Sequence, residues 1–209
     1  MNPITTIKTS TTATQYIFKG LYLVLALVTA YYIYTRALPY YNVDYAIGGY
    51  GSKAILIIIH VTLGITSTLI GPFQFIESFR LKNLKRHRLL GKIYLLSTIT
   101  SALISWYIVL PATHSGSLAY KGGLFFLGFA WIACAIMAYL SVKNKKIELH
   151  KEWMIRSYVV TIAFVTFRLV QDLLVGMDFK GTSELMAWAS WAIPLFITEL
   201  ILQGRKIKK

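Results

Sequence analysis

Residues 53–77 read KAILIIIHVTLGITSTLIGPFQFIE, with Lys53 and Glu77 at the ends and no Asp, Glu, Lys or Arg between them. A helix that crosses the hydrocarbon of a bilayer needs about 20 mostly apolar residues. This stretch meets that requirement, and working outward from it finds five more at 16–36, 89–110, 122–142, 153–175 and 185–203. The joining segments are short, so no residues remain for a water-soluble domain. The expectation is an all-α polytopic membrane protein: a flexible tail over residues 1–15, then one six-helix transmembrane bundle over residues 16–209. Composition agrees. Of the 209 residues, 56% are hydrophobic and 14% charged, against about 45–50% and about 25% in soluble domains. The mean hydropathy is +0.58.

The charge is lopsided, with 22 Lys and Arg against 8 Asp and Glu. Its placement excludes a nucleic-acid partner, which would need a folded basic face. Lys8 and Lys19 precede or open the first span. Arg80, Lys82, Lys85, Arg86, Arg88 and Lys92 flank the second loop, and Lys143, Lys145, Lys146, Lys151 and Arg156 the fourth. Arg205, Lys206, Lys208 and Lys209 form the C-terminal end. Seventeen of the 22 basic residues thus fall on one side. By the positive-inside rule both termini are cytoplasmic and the chain is a multi-pass protein of the inner membrane. Anionic lipids at the cytoplasmic face are then expected partners. The opposite side carries Tyr31, Tyr32, Tyr34, Tyr40, Tyr41, Tyr45 and Tyr50, placed as an interfacial aromatic belt would be. The single cysteine, Cys134, excludes an internal disulfide framework and a multi-cysteine metal site.

Polar side chains are costly against lipid and collect on faces turned to the bundle or a ligand. The second span carries His60, Gly64, Ser67, Gly71 and Gln74 at steps of three and four, which is one helical face. The third carries His87, Gly91, Tyr94, Thr98, Ser101 and Ser105 in the same rhythm, and the fifth carries Ser157, Thr161, Arg168 and Asp172. Small residues and hydroxyls on such seams serve helix packing; the histidines ask for more. His60 and His114 fall toward the outer side, His87 and His150 toward the cytoplasmic side.

Two outer and two inner imidazoles are what a membrane cytochrome with two haems b requires, each iron held from two helices. His60, His87, His114 and His150, with Arg156 and Tyr94, form the expected cofactor-binding set; His60, His87 and His150 are the expected metal ligands. The arrangement is similar in outline to cytochrome b561 and ferric-reductase-like bundles, which implies haem b, electron transfer, and a quinone or other redox partner.

Arg168 is the sharpest single residue. It lies twelve residues beyond Arg156, about 18 Å along a helix, where an unpaired charge costs at least about 2.5–3.5 kcal/mol. Asp172, one turn on, is the expected partner, with Gln171 beside it. Gln74, Arg168, Gln171 and Asp172 make an expected polar intramembrane site. They support the alternative function, a lipid- or small-molecule-binding transporter or membrane enzyme with a cavity around Arg168 and His60. A homo-oligomer is a further expected partner. The chain has no Gly-x-Ser-x-Gly elbow, His-Glu-x-x-His or Walker loop. Pro72 and Pro194 are the expected kink sites.

Several blocks recur in an order that resembles a known family. They are His60, Gly71-Pro72-Phe73-Gln74-Phe75, Arg80, His87-Arg88-Leu89-Leu90-Gly91-Lys92-Ile93-Tyr94, His150-Lys151-Glu152-Trp153-Met154-Ile155-Arg156-Ser157-Tyr158 and Val165-Thr166-Phe167-Arg168. Over about residues 53–172 the chain is similar to a bacterial predicted-membrane-protein family, domain of unknown function 2306. The resemblance implies a multi-helix membrane protein with His60, Gln74, Arg80, His87, His150, Arg156 and Arg168 as its characteristic polar positions. It implies no activity, and His114 lies outside the matching blocks.

Overall fold

Helix α3 (Ala54–Phe75) shows how these apolar segments fold. Backbone groups have no water partner in lipid, so the helix must satisfy them internally. Its polar side chains follow suit: the hydroxyls of Thr62, Thr66, Ser67 and Thr68 each donate to the carbonyl four residues back, at 2.7–2.9 Å. Pro72 sits in the last turn without ending the helix.

The computed structural model describes residues 9–111, 116–175 and 182–207. Among these every regular element is a helix and no strand occurs. Helix α1 (Thr9–Tyr32) leads into a π-turn, Ile33–Ala37, and a 3-10 turn, Leu38–Tyr41. Helix α2 (Val43–Tyr50) is capped by Asn42, whose Oδ1 accepts from the Tyr45 amide at 3.1 Å. Gly51 ends it at φ 54, a left-handed conformation that glycine adopts without penalty. After α3 come a short surface helix α4 (Glu77–Lys82), then α5 (Leu84–Val109) and α6 (Leu118–Lys143). Helices α7 (Ile147–Thr161), α8 (Ala163–Val175) and α9 (Thr182–Ile207) complete the described chain.

Among the described residues six segments are long and apolar enough to cross a membrane: Gly20–Tyr41, Val43–Phe75, Leu84–Val109, Leu118–Lys143, Ile147–Val175 and Ser183–Ile207. Helix α1 begins inside the stretch expected as a loose tail; residues 1–8 of that tail lie outside the described residues.

The fifth span differs from expectation in being two helices. Ile162 (φ −80, ψ 3) separates α7 from α8 with no proline present. The Thr161 hydroxyl donates to the Ser157 carbonyl at 2.9 Å and also accepts from Trp131 Nε1 at 2.8 Å. Such back-bonding by a threonine bends helices, and here the bent turn is pinned to α6. Pro194, the other expected kink site, lies inside an unbroken α9.

Close approach between helices rests on small residues. A side chain at Gly123 would come within 2.7 Å of Ala187, so α6 and α9 meet backbone to backbone. Gly71 lies under the Tyr158 ring, joining α3 to α7. Tyr94 is fully buried, and its hydroxyl meets Ser157 Oγ at 2.9 Å and Thr161 Oγ1 at 2.8 Å. Helix α1 is the exception. Leu21, Tyr22, Leu23, Val24 and Leu27 are exposed, and it joins the bundle near its end through α8.

Candidate intramembrane site

A cavity of about 380 Å³ opens between the helices at the end of the bundle away from the described chain ends. Its walls come from the α1 exit, α2, α3, the second half of α5, the first half of α6, the α7–α8 break and the start of α9. The lining includes His60, Gly64, Ser101 and Ser105, which the sequence placed on polar seams, and both Arg168 and Gln171. Nothing lies within 4 Å of where a Gly64 side chain would begin, so this glycine leaves open space in the wall. Gly91, the other glycine one turn after a histidine, is covered by Gln74 Oε1 at 3.2 Å.

His60 is held from one side. Its Nδ1 lies 2.9 Å from the Ser101 carbonyl and 3.0 Å from Ser101 Oγ, and that hydroxyl donates back to the His60 carbonyl at 3.2 Å. A carbonyl only accepts, so Nδ1 carries the proton and Nε2 is left as an acceptor. Among the described residues Nε2 has no protein partner. Fixing one ring nitrogen so that the other is presented is how a histidine is oriented toward a ligand or metal.

Arg168 does not pair with Asp172. The Asp172 carboxylate accepts from Arg36 Nη2 at 2.9 Å and from the Tyr32 hydroxyl at 3.1 Å, tying the α1 exit to α8. Among the described residues Arg168 has one hydrogen bond, Nη1 to Gln171 Oε1 at 3.0 Å, and stands 5.4 Å from the Phe167 ring centre. Gln171 in turn donates to Ser183 Oγ at 3.4 Å. Tyr50 and Tyr120 lie within reach of its charge. No carboxylate meets Arg168 among the described residues. The reason for the changed pairing is that i, i+4 spacing places Asp172 within reach of two cations, and the one arriving from α1 takes it.

The remaining candidates fall elsewhere. Arg156, expected near a cofactor, is committed to an ion network: Nη2 lies 2.6 Å from Glu199 and Nη1 3.5 Å from Glu152, which Lys206 also contacts at 2.8 Å. The Trp153 ring stacks on its guanidinium at 4.7 Å. Arg156 thus joins α7 to α9. Tyr94 is likewise occupied by Ser157 and Thr161. Gln74 lies at the other end of α3 from the cavity, beside Gly91, with Nε2 buried and without a partner.

His87 and His150 both lie at that same end, in the first turns of α5 and α7. His150 Nδ1 donates to the Ala138 carbonyl at 2.8 Å, and His87 Nδ1 is buried without a partner. His60 is the one histidine lining the cavity among the described residues; His114, its expected outer companion, lies outside them. No three of His, Cys, Asp and Glu converge into a metal-holding group among the described residues.

The sequence reading did not foresee that the tyrosine-rich segment folds back over the site. Tyr40 and Tyr50 line the cavity, as do Arg36 and Tyr120, while Tyr31, Tyr34, Tyr41 and Tyr45 stay exposed as belt residues do. Asn42 three residues before Tyr45 was the available signal, since asparagine at that spacing starts a helix.

Comparison with known proteins places the chain. A family model described as a predicted membrane protein, domain of unknown function 2306, matches residues 57–202. No curated protein and no solved structure matches.

Proposed function

The chain belongs to the domain of unknown function 2306 family of predicted membrane proteins, and from that footing we propose that it binds a small molecule inside the bundle. On this reading it is a transporter or membrane enzyme whose site is the cavity around Arg168 and His60. One observation carries it: an arginine in the cavity wall with no carboxylate partner among the described residues, where an uncompensated charge is expensive. The size fits, since ligand pockets run to about 300–1,000 Å³. So does the lining, which joins an apolar wall along Phe164, Phe167 and Trp131 to polar groups such as His60, Arg168 and Gln171.

The test uses Gly64→Leu, which adds bulk to the cavity wall at a position whose first side-chain carbon has nothing within 4 Å. Small molecules extracted from purified wild type and variant are compared by mass spectrometry. A species carried by the wild type and depleted in Gly64→Leu supports the reading; identical profiles contradict it.

A second reading keeps haem b at the opposite end, held by His87 and His150. It is favoured by their place at one end of the bundle and by the Nδ1–H of His150 resting on Ala138, the backbone support common to metal-bound histidines. A haem there would supply one-electron chemistry. The absorption spectrum of protein expressed with added haem decides: a Soret band lost in His150→Ala is expected on this reading, and its absence in the wild type ends it.

A further inference from the structure

The guanidinium of Arg168 states what kind of molecule the cavity takes. It has five N–H donors in a planar fork, and among the described residues the structure uses one of them. The acceptor is the neutral amide oxygen of Gln171, so hydrogen bonding is only begun and no described carboxylate neutralises the charge. Among the described residues, two nearby carboxylates are engaged elsewhere. Asp172 belongs to Arg36 and Tyr32, and Glu184 accepts from the Ser117 hydroxyl at 3.1 Å.

From this we infer that the cavity is a site for a monocarboxylate with a compact apolar body, its carboxylate bound by Arg168. The inference rests on the cavity reading above and deepens it. A neutral carbonyl ligand would occupy one or two donors and leave the charge uncompensated, whereas a carboxylate answers the fork with two parallel hydrogen bonds and cancels the charge. Arg36, the other arginine of the lining, already has its carboxylate, so among the described residues one net positive charge faces the cavity and one negative charge matches it. Phe164, Phe167 and Trp131 supply the wall for the apolar body. His60, with its proton fixed on Nδ1, offers Nε2 to a donor on that body.

The roles are distinct. Arg168 binds the carboxylate. Gln171 is a positioning residue, holding the guanidinium through Oε1 while its own amide rests on Ser183.

The experiment titrates 2-naphthoate and its neutral isostere 2-naphthamide into the full chain in nanodiscs, reading binding by calorimetry, for wild type, Arg168→Gln and Gly64→Leu. The expected result is saturable naphthoate binding to wild type, weakened about ten- to hundredfold in Arg168→Gln, as loss of a charged hydrogen-bonding partner implies. Naphthamide should bind wild type and Arg168→Gln alike, at the weak level, which also shows that the variant is folded. Gly64→Leu should abolish both. Equal binding of acid and amide to wild type, both lost in Gly64→Leu, overturns the carboxylate assignment and leaves the cavity reading standing. Binding of neither compound to wild type, or binding untouched by Gly64→Leu, overturns the cavity reading together with it.

Discussion

At the scale of single residues, spacing gives reach and tertiary structure chooses the partner. Arg168 and Asp172 stand one turn apart and were legible as a pair, yet Arg36 and Tyr32 claim the carboxylate. No local rule could show this, because the competing cation comes from 136 residues away. Tyr94 shows the same limit in reverse. Its place on a polar seam suggested a cofactor contact, but Ser157 and Thr161 use its hydroxyl fully. Tyr94→Phe should therefore destabilise the bundle by about 1–3 kcal/mol, the penalty for orphaning buried hydroxyl partners, and leave cavity binding intact. A denaturation midpoint measured in detergent reads the first effect and naphthoate titration the second. A midpoint equal to wild type contradicts the structural role given to Tyr94.

At the scale of elements, the spans were legible because length and hydropathy act over twenty residues and average out local detail. The expected segments and the observed ones differ mainly at their ends. What averaging hides is the break at Ile162, which depends on one threonine bonded both to its own helix and to Trp131. Helix α2 was hidden for a similar reason: eight residues among interfacial tyrosines carry no span-length signal. Between elements, the Arg156–Glu199 contact is the main polar joint of α7 and α9. Arg156 is nearly buried while Glu199 is partly exposed, so removing the acid leaves the base only its longer contact to Glu152 at 3.5 Å. Glu199→Ala should cost about 1.5–3 kcal/mol, the range for a hydrogen bond to a charged group, and Glu199→Gln should recover part of it. A double-mutant cycle with Arg156→Met measures the coupling. Additive effects would show that the two residues do not depend on each other.

At the scale of the whole molecule, the polar seams divide between two ends of one bundle. His60, Ser101, Arg168 and Gln171 converge on the cavity; Gln74, His87 and His150 gather at the opposite end. The sequence placed each seam on its helix but could not tell which seams share a space, since that depends on how the helices rotate against one another. Gln74 and His60 illustrate this: they lie on one face of α3, fourteen residues apart, about 21 Å along the axis, and serve different ends. The central claim is that the end around Arg168 is an open, anion-attracting cavity. Its most direct test places a cysteine in the wall, Gly64→Cys, with Cys134→Ala as background and Gly20→Cys on exposed α1 as reference. The rate of modification in nanodiscs is then compared for a negatively and a positively charged methanethiosulfonate reagent. The account predicts that the anionic reagent modifies Gly64→Cys about tenfold or more faster than the cationic one, because a cleft lined by one sign of charge concentrates the other, with no such preference at Gly20→Cys. No modification at Gly64→Cys by either reagent, or equal rates for the two, would contradict it.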